Sequence, residues 1–303
     1  MPPASRATVE STALAKFDDR PRGLFGRVRA SMEKWTVKLG GPDMEARLAR
    51  LIAPQNEYGV DPFGLDLEFA KAAMAPALWL YKNYFRVETH GIEKVPDGRV
   101  LLISNHSGQL PLDGAMIGCA MICEAEPPRV ARAMLEKWAP TLPFVAPFFA
   151  RMGQVVGTPE NCRRLLAAGE TITVFPEGVR GLNKTYDKSY QLQEFGLGFM
   201  RLALETGTPI VPVAVVGAEE QSPALVDLKA AAKMFGLPAL PLTPTLIPFP
   251  MPVKYHLHFG APMRFSGNPD DEDAELERKV REVKQAIQAM LDAGRVSRKS
   301  IFF

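Results

Sequence analysis

The chain of 303 residues contains only three cysteines, too few for a disulfide framework that would stabilise a protein of this size. Two of them, Cys119 and Cys123, have no histidine or acidic cluster beside them in the sequence, so the ligand spacing typical of a metal site is missing. We therefore expect no bound metal and no cofactor. We interpret the cysteines as buried thiols of a protein in the reducing cytoplasm.

The sequence also has little net charge, because its 36 lysines and arginines are nearly balanced by 34 acidic residues. A net charge of +2 gives no indication of nucleic-acid binding. With 47% hydrophobic and 23% charged residues, the composition is that of a globular protein rather than a disordered or multi-span membrane protein.

Export signals and continuous apolar helices are missing as well. Residues 1–6 lack the basic start and apolar run of a signal peptide, so we expect no secretion. The longest uncharged stretch, residues 234–253, holds six prolines, which no continuous membrane-spanning helix tolerates. Any membrane contact is therefore expected to be peripheral, on the cytoplasmic face of the membrane.

Two common catalytic motifs do not occur in the sequence. Without a Gly-x-Ser-x-Gly segment there is no serine nucleophile of the hydrolase type, and without a Gly-x4-Gly-Lys-Ser/Thr segment there is no nucleotide-binding P-loop. These absences argue against a serine hydrolase and a P-loop kinase.

The first pattern along the chain is amphipathic. It runs from Phe25 to Leu39 and predicts a basic helix that ends at Gly40. Either it packs on its own domain with its basic face in solvent, or it lies on a membrane surface. A long apolar helix is predicted from Phe69 to Arg86. We place a domain boundary near Pro62, with a helical region over 1–62 and the main domain over 63–303.

Beyond residue 87 the pattern changes to short β-rich runs separated by helices. The clearest strands are predicted at 100–104, 171–175, 210–216 and 255–259, and helices at 158–169, about 197–207 and 276–291. This alternation predicts an α/β fold, with a mostly parallel sheet flanked by helices and an N-terminal helical extension.

Three strand ends carry polar residues into loops, where α/β sheets gather their ligands. The first loop holds His106 and, further on, Asp113; the second is Pro176-Glu177-Gly178-Val179-Arg180-Gly181; the third strand contains Val211-Pro212-Val213, whose proline indicates an edge strand or a local distortion. In this order the blocks resemble the glycerolipid acyltransferase superfamily, which includes the bacterial lysophosphatidate acyltransferases. The resemblance spans residues 84–262 and implies a glycerol-3-phosphate acyltransferase-like fold.

The resemblance implies that His106 takes the proton of an acceptor hydroxyl and that Asp113 orients its ring, a role that suits the pKa of histidine. Six residues separate His106 from Asp113, whereas four are usual in the superfamily, and a branch acting on neutral glycerides resembles this longer block. A continuous helix would place the two residues about 10 Å apart. We therefore predict that the loop through Gly108 folds back to join them.

The second block implies substrate-binding residues: Asn105, Glu177, Gly178, Arg180 and Lys184. Arg180 is suited to phosphate because its planar guanidinium engages two oxygens at once, and the glycines allow backbone amides to approach an anion. The alternative for Arg180 and Lys184 is a surface ion pair. His256 and His258 have no such partners in the sequence, and we interpret them as structural.

Two segments are too apolar for ordinary loops, namely 138–149 and the proline-rich run after Phe235. They are expected to bind an acyl chain or dip into one leaflet, or else to form core.

Together these features predict an enzyme that transfers a fatty acyl group from acyl-CoA or acyl carrier protein to a hydroxyl of a lysophospholipid or a mono- or diacylglycerol. The alternatives are an acyl hydrolase or transacylase, and a catalytically silent lipid-binding protein of the same fold.

Overall fold

The structure is a computed structural model that describes residues 23–53, 56, 60–107, 111–136, 145–182, 184, 186–223, 226–227, 241–242 and 250–302. Several sequence predictions lie wholly or largely outside these residues. They concern the N-terminal segment 1–22, the loop glycine Gly108, most of the apolar run 138–149 and most of the proline-rich run 234–253.

The described strands are β1 Glu88–His90, β2 Val100–Ser104, β3 Ala131–Leu135, β4 Val155–Val156, β5 Thr171–Val174, β6 Ile210–Val216, β7 Val226–Asp227, β8 Pro241–Leu242 and β9 His256–Phe259. The α-helices are α1 Gly23–Gly40, α2 Met44–Ala49, α3 Leu67–Ala73, α4 Ala75–Trp79, α5 Leu112–Cys123, α6 Val145–Arg151, α7 Pro159–Ala167, α8 Val179–Leu182, α9 Gly198–Thr206, α10 Ala218–Gln221 and α11 Asp273–Ser297. The four strands and the later helices predicted from the sequence are all present, with ends shifted by a few residues.

Seven strands form one sheet in the order β1-β9-β6-β2-β5-β3-β4. The five strands from β6 to β4 are parallel, while β9 pairs antiparallel with β6 and parallel with β1. The predicted α/β fold with a mostly parallel sheet and flanking helices is therefore confirmed. We call the side where β6, β2, β5, β3 and β4 end the carboxyl edge.

The sheet is covered on both faces by separate apolar clusters. One face packs on α5 and the N-terminal helices, so that Met44 and Leu48 share a core with Leu102 and Val213. The other face packs on α7, α9 and α11. The helical region before Pro62 thus shares its core with the sheet, and the division of the chain at that point stays a prediction.

The segment predicted as one long helix is divided into α3, α4 and a π-helical turn at Leu80–Tyr84. Pro76 lies at the start of α4, where its missing N–H costs no hydrogen bond. The same residue inside a continuous helix would remove one bond, which explains why α3 ends just before it.

Pro212 does not mark an edge strand, because β6 lies between β9 and β2 in the middle of the sheet. It stands opposite Ile103 of β2, and the antiparallel ladder with β9 begins one residue later, at Val213. At that position the Pro212 carbonyl accepts from the N–H of Gly260, the residue after β9, at 2.8 Å, so the proline lies just beyond the regular ladder with β9.

Helix α1 packs against the core through Val37 and Leu39, and its Thr36 hydroxyl donates to the Lys71 carbonyl at 2.7 Å. Its other face leaves Leu24, Phe25, Val28 and Trp35 exposed. Within the described ranges, no helix combines the length and the apolar character needed to cross a bilayer.

A buried ion pair anchors the segment that precedes α3. Arg132 of β3 is fully buried and donates to Asp61 at 2.6 Å and to Glu170 at 3.2 Å. Both carboxylates are also largely withdrawn from solvent. Removing the arginine would leave two buried negative groups without a cation, which is far more costly than losing an exposed pair.

We predict that Arg132→Met lowers the free energy of unfolding by about 3 to 5 kcal/mol, as expected for breaking a buried ion pair. Arg163→Met is the matched control, since Arg163 pairs with Glu205 on the surface and its loss should cost about 0 to 1 kcal/mol. Urea denaturation of both variants measures the difference. Equal losses would contradict the role assigned to Arg132.

Candidate active site

The loop that carries His106 leaves the sheet at the end of β2, and Asn105 fixes where it does so. The Asn105 amide donates to the Val215 carbonyl at 3.1 Å, and its carbonyl accepts from the Val215 N–H at 2.8 Å. Asn105 is fully buried and uses both polar ends on β6. The structure therefore gives it a positioning contact, while its predicted role in substrate binding remains a prediction.

His106 and Asp113 are joined despite the long spacing between them. The Asp113 Oδ2 atom lies 2.8 Å from Nδ1 of His106 and also accepts from the Ser107 N–H at 3.0 Å. Its Oδ1 accepts from the Gly114 N–H at 2.8 Å, in the first turn of α5, where a carboxylate is stabilised by the helix dipole. The predicted hydrogen bond is confirmed, although the catalytic role of the pair remains a prediction.

The bond to Asp113 decides which nitrogen of His106 is available. An ionised carboxylate only accepts, so Nδ1 carries the proton and Nε2 has a free lone pair in the neutral ring. Within the part of the chain that the structure describes, Nε2 makes no hydrogen bond, and 10% of the side chain is exposed while Asp113 is fully buried. The ring stacks on Phe175, with centroids 4.3 Å apart. This arrangement can take a proton from a bound hydroxyl.

Glu177 holds the His106 backbone rather than facing an open cleft. Its Oε1 accepts from the His106 N–H at 3.0 Å and its Oε2 accepts from the Gln193 N–H at 2.7 Å. The residue is only 2% exposed. Its predicted part in lining the acceptor site therefore remains a prediction, and its observed contacts position the loops on either side.

Lys184 is buried, so it does not form the surface ion pair that was the alternative from the sequence. It is 7% exposed and donates to Glu219 at 2.7 Å, with Glu177 at 3.6 Å. One ammonium group thus lies between two buried carboxylates. Because its charge is already engaged, Lys184 is poorly placed to bind a substrate phosphate.

Arg180 differs from Lys184 in being exposed. Its side chain is 62% exposed and its contact with Glu194 is long, at 3.4 Å. Gly178 adopts a positive φ of 55°, and a Cβ there would lie 2.8 Å from a Glu136 carboxylate oxygen. The second block therefore supplies one accessible cation beside a tight turn, as a phosphate site requires.

Residues that sequence reasoning missed complete the site. Glu219 and Glu220 follow β6 at the carboxyl edge and are both buried. Glu220 accepts from the Tyr190 hydroxyl and pairs with Arg298 after α11, so it joins the loop after α8 to the C-terminal helix. Two adjacent acids directly after a wholly apolar strand were the available signal, since such acids are buried only when they are paired.

Burial raises the pKa of Glu219 to about 7, and the neighbouring Lys184 only partly offsets this effect. Between pH 4.5, the ordinary carboxyl value, and pH 7 the folded protein keeps a proton that the unfolded chain has released. The contribution of this group to stability therefore decreases as the pH rises through that range.

We predict that the unfolding free energy of the native protein, measured relative to that of Glu219→Gln, decreases between pH 4.5 and pH 7. The slope should not exceed about 1.4 kcal/mol per pH unit, the value for one proton. The variant is its own control, because its amide does not titrate. Urea denaturation of both proteins at several pH values measures the difference in unfolding free energy. A difference that is constant or increases with pH would contradict the raised pKa of Glu219.

Gly181 is required where α8 meets the loop that carries His106. A Cβ at this position would lie 2.8 Å from the His106 carbonyl oxygen and 2.9 Å from both the His106 and the Glu177 Cβ atoms. These are backbone or near-backbone atoms that cannot rotate away. The absence of a side chain therefore allows the second block to pack directly on His106.

We predict that Gly181→Ala destabilises the protein by about 1 to 3 kcal/mol, the usual cost of overpacking. Gly118→Ala in α5 is the control, because no atom lies within 4 Å of its added Cβ and alanine favours a helix interior. Thermal unfolding of both variants should show changes of opposite sign. A Gly181→Ala protein as stable as the native one would contradict the packing described.

Comparisons with known proteins agree with the arrangement of the motifs. The acyltransferase family model matches residues 86–216, which contain both His106 and Glu177. Protein Rv0502 of Mycobacterium tuberculosis is 36% identical over 99% of this chain and 88% of its own length. Protein ML2427 of Mycobacterium leprae is 38% identical over 82% of this chain and 71% of its own length.

More distant relatives have descriptive names. The mouse "DGAT1/2-independent enzyme synthesizing storage lipids" is 24% identical over 68% of this chain and 59% of its own length. Among solved structures, the 1-acyl-sn-glycerophosphate acyltransferase PlsC of Thermotoga maritima covers 89% of this chain and 98% of its own, with 15% identity and a TM-score of 0.49. The resemblance seen in the sequence is confirmed by the family match and by the mycobacterial relatives: this chain belongs to the acyltransferase family.

Proposed function

We propose that the protein transfers a fatty acyl group from a thioester, acyl-CoA or acyl carrier protein, to a hydroxyl of a glycerolipid. The observation that carries this proposal is the buried His106–Asp113 pair, bonded at 2.8 Å, with Nε2 available at the carboxyl edge of the sheet. Ligands of α/β sheets bind at this edge. Membership of the acyltransferase family supports the same reaction class.

In the proposed reaction, Nε2 of His106 takes the proton as the acceptor oxygen attacks the thioester carbonyl. The ring becomes an imidazolium, which the Asp113 carboxylate stabilises through Nδ1. When the tetrahedral intermediate collapses, the carbon–sulfur bond breaks and the leaving thiolate takes the proton back from Nε2. The ester and a free thiol are formed, His106 is neutral again, and no covalent bond to the protein is needed.

For the acceptor we propose a neutral mono- or diacylglycerol, with a lysophospholipid as the alternative. Six residues between His106 and Asp113 fit the neutral-glyceride branch, and the similarity to the mouse storage-lipid enzyme points the same way. Electrostatics also support a neutral acceptor. Lys184 is held by two carboxylates, which leaves Arg180 as the accessible cation of the second block among the described residues. We assign Arg180 to the phosphates of the donor.

We further propose that the protein binds peripherally to the cytoplasmic face of a membrane. Helix α1 presents Leu24, Phe25 and Val28 to solvent close to the basic residues Arg27 and Arg29. An apolar face beside basic residues is the combination by which amphipathic helices lie on anionic lipid surfaces. In this position α1 would hold the enzyme where a lipid acceptor is found.

We predict that His106→Ala lowers kcat/KM for acyl transfer by about 10²- to 10⁴-fold, the usual contribution of a general base. Asp113→Asn should also be strongly impaired, because an amide does not stabilise the imidazolium. Asp273→Asn is a matched control, since Asp273 is exposed in an ion pair with Arg201. Release of free thiol from acyl-CoA, measured with and without diacylglycerol, monoacylglycerol and lysophospholipid, gives the rates.

The same assay separates the alternatives. Thiol release that is independent of any acceptor would indicate a hydrolase, and acyl exchange between lipids without a thioester would indicate a transacylase. No turnover of any donor by the native protein would indicate a lipid-binding protein. Turnover by His106→Ala within a few fold of the native rate would exclude His106 as the base.

A further inference from the structure

Three of the four histidines of this chain meet at one place, away from His106. Strands β1 and β9 pair in parallel with Glu88 opposite His256 and His90 opposite His258. Because alternate residues of a strand point to the same face, all four side chains lie on one face of the sheet. The sequence gives no hint of this, since 166 positions separate His90 from His256.

The ligand atoms of Glu88, His90 and His256 are close enough to share one ion. One atom of each side chain lies within 4.8 Å of the corresponding atoms of the other two. Oε2 of Glu88 is 3.4 Å from Nδ1 of His256, while Oε1 is held by Lys254 at 2.6 Å. One carboxylate oxygen therefore faces the histidines while the other keeps its ion pair.

Two of the three histidines, His256 and His258, have a buried Nε2 atom without a hydrogen-bond partner. His256 is more than nine-tenths buried, and its Nε2 has no hydrogen-bond partner. The His258 ring stacks on His90 with centroids 4.7 Å apart and lies against Gly294 of α11, where a Cβ would come within 2.7 Å of the imidazole. The fold thus packs imidazoles closely around His90, the exposed member that can rotate.

We propose that Glu88, His90 and His256 bind one divalent transition-metal ion of the class that prefers imidazole ligands, such as Zn²⁺. Two histidines and one carboxylate form a common zinc ligand set, with a fourth position for water. Ligand atoms about 2.0 to 2.1 Å from a tetrahedral ion are roughly 3.4 Å apart. The ligand atoms of the three residues lie within 4.8 Å of one another, and rotation of the exposed Glu88 and His90 side chains would bring them to the shorter separation.

The ion would act as a clamp between β1 and β9. These strands pair over three residues at the side edge of the sheet, where few hydrogen bonds hold them. An ion that binds only the folded state shifts the unfolding equilibrium in its favour, by about 100-fold at a concentration of 100 Kd. The site lies two strands away from β2, so this role does not depend on the proposed acyl transfer.

The test is titration of tag-free, full-length protein with ZnCl2, by calorimetry and by thermal unfolding. One equivalent should bind and raise the unfolding temperature. His90→Ala and Glu88→Gln change exposed residues, so both should fold, as circular dichroism without metal would show, and both should lose the stabilisation and bind at least about tenfold more weakly. His256→Ala is a further variant, but the proposal does not depend on its folding.

His106→Asn and Cys123→Ser are the controls, because they alter the remaining histidine and the most accessible cysteine among those the structure describes. Both should keep one bound Zn²⁺. Loss of binding in either control would place the ion elsewhere and overturn the proposal. So would the absence of Zn²⁺ uptake by the native protein, or unchanged uptake by His90→Ala.

Discussion

The carboxyl edge of the sheet depends on one buried carboxylate, that of Glu177. Its two oxygens accept the N–H groups of His106 and Gln193, so it joins the loop after β2 to the loop that follows α8. Such bonds to a charged acceptor are stronger than neutral ones. The charge is tolerated in the interior because Lys184 lies beside it, and Lys184 is in turn held by Glu219 after β6. The ends of β2, β5 and β6 are thereby connected through Glu177, Lys184 and Glu219.

The ring and the backbone of His106 are held by different residues. Asp113 holds the His106 ring and Glu177 accepts from the His106 N–H. The preceding Asn105 is fixed on Val215, and Gly181 lets α8 pack against the loop. As the proposed base, His106 would lose little freedom when a substrate binds, which is the condition for effective proton transfer. The second block is therefore at least as important for where His106 stands as for any substrate that it contacts.

Much of this could be predicted from the sequence, and the remainder could not, for identifiable reasons. Strand β2, the pair formed by His106 and Asp113, and the long final helix follow from periodicity and from motif order. The partners of Glu177 and Lys184 do not, because backbone N–H groups and distant acids leave no local pattern. Pro212 suggested an edge strand, since a proline removes a donor, but the ladder between β6 and β9 covers only Val213 to Val216, which makes a central position possible. The histidine cluster likewise depends on strand order alone.

Strands β1 and β9 run against the five parallel strands, so both begin at the edge where those strands end. Arg86, just before β1, donates to the carbonyl of Pro252 ahead of β9 and to that of Phe302 after α11. Arg86 thus ties the N-terminal helices, the approach to β9 and the segment after the last helix together at the rim of the carboxyl edge. A displacement of these helices would therefore reach that rim through the hydrogen bonds of Arg86 as well as through the core that the helices share with the sheet.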